Sequence, residues 1–467
     1  MKKTERKAEI IKTAIITFLF IVAMLMVFFH FDELRKRNEN ATDSNVGDSF
    51  TLKSTFSDKI DSNSEGMLLP SQIAFKNNTD SIFAICSGKN YMEEIYSMLY
   101  DSVAFMLSSK CTVIEDDAKA FDDAIASNKY IYVRYHTPLP FVLLYFDSIG
   151  GGSKVSGEMS DKISSLIVSE LIIFPEESEN GSLFALSKEP GGKVQKFLLN
   201  EAPLSSIGIA DLEIYREAGA MVPASFYSAK NESIVSSTLI FDDMPQRSSL
   251  TFTEGITGLS KNTELQTPFA EMLSINPNKT GSYFDDELDG TVYMATHGTL
   301  TFTDDAIEYS TLNNTDGIPL SIFSGKESDS SHSMYECLSA ARAIASIISD
   351  IKGAQIGEGH LLLTDLFRND QALTLKFGYF YDNVPISSKN DALILEITSE
   401  KLVALKFYPS KISSDRSNVL KSLPAGWVIG IAEYESKENE KFTLIYKYEA
   451  DESGTFFAEW KPLKIKG

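Results

Sequence analysis

The sequence predicts an α+β protein in which an N-terminal transmembrane helix precedes two or more mixed α/β domains, the last of them a helix packed on an antiparallel sheet. Three observations predict this class. An apolar run without charge occupies residues 13–31. Segments with helical and with strand periodicity alternate along the chain that follows. From Gln371 onward, apolar residues recur at every second position, as they do in a half-buried strand.

The N-terminal apolar run has the length of a membrane anchor. From Thr13 to Phe29 it contains no charge, and as a helix it is roughly 25 Å long, before His30 and Phe31 extend it. A cleaved signal peptide is the alternative, but the run ends in aromatic residues rather than in the small residues of a cleavage site. Five basic side chains precede the run and three follow it, which favours a cytoplasmic N-terminus. We therefore expect residues 1–12 to be a cytoplasmic tail and 13–31 a transmembrane helix.

The rest of the chain is strongly acidic. The whole chain has a formal charge of −22 at pH 7 although its first residues are basic, so the part that we place outside the cytoplasm is more negative still. Such a charge repels nucleic acid and anionic lipid, and no nucleic-acid partner is expected. Residues 32–66 are rich in Asn, Asp, Ser and Thr, which predicts a polar, flexible tether before the first folded domain.

Residues 67–323 are predicted to form an α+β ectodomain. Glycines at 150–152 interrupt its pattern and allow two subdomains with a break near 150–160. The predicted elements are a hairpin at 72–75 and 81–86, helices at 92–106, 116–126 and 264–273, and strands at 111–114, 130–135, 166–174 and near Val292 and Leu300.

Residues 334–467 are predicted to form the C-terminal domain. The segment Ser324–Ser333, which has no large apolar residue, separates it from the preceding ectodomain. Apolar residues from Met334 to Ile348 share one helical face and Gly353 follows, so a helix is expected to open the domain. The strands predicted after it lie at 371–381, 393–397, 402–408, 427–433, 442–448 and 456–460.

The residue types that usually carry catalysis or bind metals are scarce and scattered. The five histidines and three cysteines form no spaced metal motif. Asp285–Gly290 resembles the start of a calcium loop, but Thr296 stands where a bidentate carboxylate is needed, which favours a solvated acidic turn. Cys86 and Cys111 flank neighbouring apolar runs and could pair, although burial as separate thiols is the simpler interpretation. We therefore predict no catalytic residue, cofactor or metal site.

Three short segments carry a family resemblance: Leu69–Ile73, Phe377–Ile386 and Phe456–Lys461. Together with the order of anchor, tether and mixed α/β domains, they resemble the YycH/YycI family of membrane-anchored regulators in Gram-positive bacteria. The resemblance implies a non-catalytic partner of a two-component sensor histidine kinase, held through the transmembrane helix and the extracytoplasmic part. The stretch from Gly150 to Gly281 does not contribute to this resemblance.

The predicted function is therefore a membrane-anchored extracytoplasmic regulator or adaptor. The alternatives are an extracytoplasmic hydrolase of envelope polymers and a structural envelope or sporulation-associated protein. In a regulator, the transmembrane helix could also contact a partner helix, because small and hydroxyl side chains allow close packing in lipid. The candidate contact residues are Thr13, Ala14, Thr17 and, further along, Ala23. The simpler alternative is that these side chains face lipid.

Overall fold

The computed structural model describes most residues between 68 and 465. Its longest gaps are 145–165, 175–182, 202–208, 213–219 and 325–333. The predicted tail, transmembrane helix and tether at 1–66, with the four candidate contact residues of the helix, lie outside the described residues. Among the helices that are described, every one is too short or too polar to cross a bilayer.

The described part of the chain contains few helices. They are α1 (Lys89–Met106), α2 (Ala118–Ile125), a 3-10 helix (Ala224–Phe226), α3 (Thr263–Met272), α4 (Ser321–Ser324), α5 (Met334–Asp350) and α6 (Ala425–Glu435). Strands organised into three antiparallel sheets make up most of the rest. The predicted α+β class is confirmed by this architecture.

The first nine strands form one sheet. They are β1 (Pro70–Asn77), β2 (Ile82–Ile85), β3 (Cys111–Asp116), β4 (Lys129–Pro140), β5 (Ile167–Ile173), β6 (Leu183–Lys188), β7 (Val194–Leu199), β8 (Ala220–Pro223) and β9 (Leu239–Phe241). Their order in the sheet is β3-β7-β6-β5-β4-β1-β2-β8-β9. The long strands β1 and β4 therefore lie side by side near its centre.

This nine-stranded sheet is buried on both faces. Ile73 and Ile131 point into one hydrophobic core, whereas Ala74 and Tyr132, the next residues along the same strands, point into another. Because successive side chains of a strand alternate between faces, β1 and β4 each contribute to both cores. Residues of α1 enter the first core, and residues of α2 and α6 enter the second.

The next strand, β10 (Arg247–Glu254), belongs to neither large sheet, and the ten strands after it form the second one. These are β11 (Gly281–Asp285), β12 (Gly290–Ala295), β13 (Gly298–Phe302), β14 (Ile307–Ser310), β15 (Ile318–Pro319), β16 (His360–Arg368), β17 (Leu373–Tyr381), β18 (Val384–Pro385), β19 (Leu393–Thr398) and β20 (Lys401–Phe407). The order is β11-β12-β13-β14-β20-β19-β17-β16, with β15 beside β20 and β18 beside β17. Strands from before and after α5 thus share one sheet.

The third sheet combines β10 with the last strands, β21 (Ser410–Leu420), β22 (Lys441–Ala450) and β23 (Thr455–Ile465). Its order is β21-β10-β23-β22, and Leu250 of β10 lies opposite Ser414 on one side and Phe456 on the other. The sheet is therefore assembled across more than half of the folded chain.

Most of the predicted elements are present, and one is wrong. The helix predicted from Met334 to Ile348 is α5, with Leu338, Ile344 and Ile348 fully buried, and the period-two strand predicted at 371–381 is β17. The segment 427–433, predicted as a strand, lies instead within helix α6. Its β-branched residues favour a strand locally, but one helical face of this segment is buried under the sheets, and tertiary packing overrides that preference.

Candidate functional site

All three sheets meet at a cleft of about 170 Å³. Its walls come from β1, β4, β9, β10, β18, β22 and β23 and from the turn before β18. Its polar lining consists of Ser71, Gln72, Arg134, His136, Arg247 and Asn383, and its apolar lining includes Leu239, Phe241, Val384, Leu444, Tyr446 and Trp460. A movement of one sheet against another would change the contacts in this cleft.

A tight turn brings Asn383 into the cleft. Asp382 and Asn383 connect β17 to β18, and both have a positive φ, 52° and 61°. A two-residue hairpin with both central residues in the left-handed region is a type I′ turn, in which Asp and Asn are tolerated better than other side chains. The side chain of Asn383 is buried, and its Nδ2 donates a hydrogen bond to the carbonyl oxygen of Pro70 at 2.9 Å.

His136, on strand β4 of the nine-stranded sheet, contacts the side chain of Asn383. Its Nε2 lies 3.4 Å from Asn383 Oδ1, and its ring lies 4.6 Å from the ring of Phe380, centroid to centroid, in an edge-on orientation. Since Nδ2 of Asn383 donates to Pro70, Oδ1 is left as the acceptor, so Nε2 of His136 carries the proton. Burial lowers the pKa of His136 to about 4, so the ring is neutral at neutral pH.

Two arginines of the cleft, Arg134 and Arg247, each bind a polar side chain from a different sheet or hairpin. Arg134 Nη2 donates to Thr443 Oγ1 at 3.1 Å, and Thr443 Oγ1 lies 2.9 Å from Thr238 Oγ1. Arg247 Nη1 lies 3.2 Å from Asp382 Oδ2, and the guanidinium side chain is buried whereas the carboxylate is half exposed. The first contact joins the nine-stranded sheet to the four-stranded sheet, and the second joins the four-stranded sheet to the hairpin of the ten-stranded one.

The cleft is therefore a polar joint built from hydrogen bonds between distant parts of the chain. Its side chains hold the three sheets in one arrangement, because each buried donor or acceptor that loses its partner costs about 1–3 kcal/mol. The neutral imidazole of His136 faces an amide and an aromatic ring in this arrangement. These hydrogen bonds therefore fix the orientation of the three sheets relative to one another.

The three segments that carry the family resemblance come together at this cleft. Pro70 belongs to the first segment, Asn383 to the second and Trp460 to the third, and the hydrogen bond between Pro70 and Asn383 spans 313 residues of sequence. No motif in the sequence marks Arg134, Arg247 or His136. Their partners lie between 135 and 309 residues away, so no local spacing could have identified them.

The acidic segment 285–290 and Cys111, which the sequence offered as other candidate sites, lie outside the cleft. Asp285 Oδ1 accepts from the backbone N–H groups of Glu287 and Leu288, which makes 285–290 the turn between β11 and β12. Cys111 is a free, buried thiol, and burial raises its pKa to about 12. Its possible partner Cys86 lies outside the described residues. Among described residues, no group of three His, Cys, Asp or Glu side chains is placed to hold a metal ion.

No protein-family model and no curated protein sequence matches this chain. The structure is similar to the crystal structure of YycH from Bacillus subtilis, with 12% sequence identity over 86% of this chain and 97% of that chain and a TM-score of 0.49. It is also similar to an uncharacterized protein from Eubacterium rectale, with 12% identity over 47% of this chain and 82% of that chain and a TM-score of 0.30.

Proposed function

We propose that this chain is a membrane-anchored extracytoplasmic regulator or adaptor, without catalytic activity of its own, that modulates a two-component sensor histidine kinase. The observation that supports the proposal is the cleft. The three segments that resemble the YycH/YycI family line one joint, and Asn383 bonds Pro70 there. A partner that binds one arrangement of the three sheets better than another would shift the population of arrangements.

The test is to recover the partner from membranes and to perturb the joint. A tagged full-length chain is crosslinked in cells, and co-purified proteins are identified by mass spectrometry. A sensor histidine kinase should be recovered, and Asn383→Gly should change both its recovery and the expression of genes under its control. Met294→Ser, which changes an exposed side chain on β12, serves as the matched control and should behave like the parent.

The opposing result is also measurable. If no kinase is recovered and the purified chain cleaves envelope polymers, with activity that His136→Gln abolishes, the regulator proposal is wrong. A kinase that is recovered equally with the parent and with Asn383→Gly, with unchanged gene expression, would mean that the cleft does not take part in regulation.

The membrane anchor belongs to the same proposal. The charge-free run at 13–31 and the basic tail before it support a single transmembrane helix with the N-terminus in the cytoplasm. A reporter that is active only outside the cytoplasm, fused after Gly467, should be active. A reporter active only in the cytoplasm should be inactive at that position, and the reverse pattern would overturn this topology.

We also propose that Thr13, Ala14, Thr17 and Ala23 contact a helix of the kinase, because small side chains permit close packing in lipid. The test replaces residues 13–29 with an unrelated apolar helix and keeps both flanks. Loss of regulation with normal membrane insertion supports a helix contact. A chimera that regulates as well as the parent would show that these residues only face lipid.

A further inference from the structure

Helix α6 is apolar on both of its faces. Ala425, Val428, Ile429 and Ala432, spaced three or four residues apart, are buried in the same core as Trp460. Trp427, Ile431 and Tyr434, spaced in the same way, lie on the opposite side, with exposed fractions of 70%, 49% and 89%. Helices that are apolar all round are normally buried on all sides. The outer face of α6 is therefore apolar but exposed to solvent, and no described part of the chain buries it.

The exposed face of α6 adjoins further exposed apolar residues at the 3-10 helix, which contacts α6. The side chain of Ser228, just after the 3-10 helix, donates a hydrogen bond to the buried carboxylate of Glu433 on α6. Tyr227 packs on Gly426, where an added Cβ would lie only 2.8 Å from the Tyr227 ring. The 3-10 helix is thus fixed against the first turn of α6. The α6 patch consists of Phe226, Tyr227, Leu423, Trp427, Ile431 and Tyr434.

The size of the α6 patch is close to what a stable protein interface needs. With about 150–250 Å² for a whole aromatic side chain, the exposed fractions of the six residues leave roughly 700 Å² in water. The largest apolar patch of an ordinary monomer is about 300–600 Å². A standard interface buries about 800 Å² of each partner, so the patch accounts for most of one side of such an interface.

The shape of the patch points to a second copy of the same chain. Gly430 has no side chain, and an added Cβ there would meet no described residue within 4 Å apart from its chain neighbours and the backbone of its own helix, so a gap, the Gly430 notch, lies beside Trp427, Ile431 and Tyr434. Side chains three and four positions away project beside such a position on a helix. The face therefore offers both projecting side chains and a gap that could receive one. A two-fold interface brings the same face of two copies together, so a face with both features can supply both the knob and the hole of such a contact.

We propose that two copies of this chain associate through their α6 patches, with α6 packed against α6 and an aromatic side chain of each copy entering the Gly430 notch of the other. This inference does not rest on the kinase proposal. Because each copy is strongly acidic, long-range repulsion opposes the pairing, and added salt screens it. The association should therefore tighten from low to physiological ionic strength, whereas docking to a basic partner would weaken.

The test uses the full chain with two different affinity tags, co-expressed and extracted with native lipid in polymer nanodiscs. One tag should co-isolate the other. Trp427→Glu should lower the co-isolated fraction by about tenfold or more, as expected for a central aromatic anchor. Leu312→Glu is the matched control, because Leu312 is 78% exposed but lies outside the patch, and it should leave the fraction unchanged. Equal co-isolation by the parent and Trp427→Glu would overturn the proposal, since the transmembrane helices or another surface would then hold the copies together.

Gly430→Leu distinguishes a second copy from other occupants. The added side chain has open space within its own copy, so the variant should fold. It fills the notch and should reduce co-isolation as Trp427→Glu does. A lipid surface or an unspecific apolar partner would gain from the extra apolar area, so unchanged or increased co-isolation would overturn the proposal.

Tryptophan fluorescence tests the lipid alternative directly. The chain has two tryptophans, of which Trp460 is buried and Trp427 exposed. In nanodiscs of brominated phosphatidylglycerol, a paired α6 patch should shield Trp427 from aqueous acrylamide without quenching by bromine. Quenching of Trp427 by the brominated lipid would assign the patch to the membrane and overturn the second-copy proposal.

Discussion

The cleft shields polar side chains from water, whereas the α6 patch exposes apolar side chains to it. In the cleft, Asn383 and Arg247 are buried and His136 is half-buried, and each has a polar partner from another sheet. The α6 patch leaves tryptophan, isoleucine and tyrosine in water. Buried hydrogen bonds have a directional geometry and so select one arrangement of the sheets. The hydrophobic effect is non-directional, and exposed apolar surface contributes favourable free energy only when another surface removes it from water. We therefore assign internal alignment to the cleft and association to the patch.

The two faces of α6 provide the sharpest test of this contrast. Ile429 is fully buried and Ile431 is half exposed, so the same substitution can be made two positions apart. Ile429→Ala should lower the free energy of unfolding by about 2–5 kcal/mol, because it leaves a cavity in the core. Ile431→Ala should change it by less than about 0.5 kcal/mol. Urea denaturation measures both, and similar losses would mean that the outer face is already covered.

Asn383→Ala should break the joint at its centre. The substitution leaves the Pro70 carbonyl and His136 without their partner and places alanine in a left-handed conformation, at a total cost of about 2–4 kcal/mol. Asn383→Gly keeps that conformation without strain and should lose only the hydrogen-bond share of about 1–2 kcal/mol. If the free energies of unfolding of both variants match the parent's, the joint does not stabilise the fold.

His136 should make the stability of the joint depend on pH. Its pKa is about 4 in the folded protein, below the usual 6.5, so the unfolded chain binds the proton first as the pH falls. The contribution of His136 to the free energy of unfolding should therefore decrease from about pH 6.5 downward and level off near pH 4, by up to about 3 kcal/mol. The Asp304 carboxyl, whose pKa is lowered chiefly by its hydrogen bonds to Ser260, loses its contribution at more acidic pH. Denaturation of His136→Gln across this range should show a flatter profile, and an unchanged slope would contradict the assignment.

Asp382→Asn should have the smallest effect of this series. Asparagine tolerates the left-handed conformation and keeps a hydrogen-bond acceptor, so only the charge that faces Arg247 is removed. Because the carboxylate is half exposed, solvent screens the ion pair, and the expected loss is about 1 kcal/mol. A shift of the thermal midpoint much larger than that of Asn383→Gly would mean that the ion pair, rather than the asparagine, holds the hairpin.

The sequence by itself determined the elements whose burial is periodic along the chain. The helical spacing from Met334 to Ile348 and the period-two alternation around Phe377 both matched the structure, because one buried face imposes a pattern on neighbouring residues. Strand β21 escaped prediction since most of its side chains are polar and exposed, and its conformation comes from backbone pairing with β10.

Only the tertiary structure decided which distant segments meet. Residues 427–433 became helical because of what one of their faces packs against. Asn383 and Pro70, or Arg134 and Thr443, satisfy each other across hundreds of residues. Local spacing carries no record of such pairs, since a hydrogen bond depends on where the sheets place its two atoms and not on how many residues separate them.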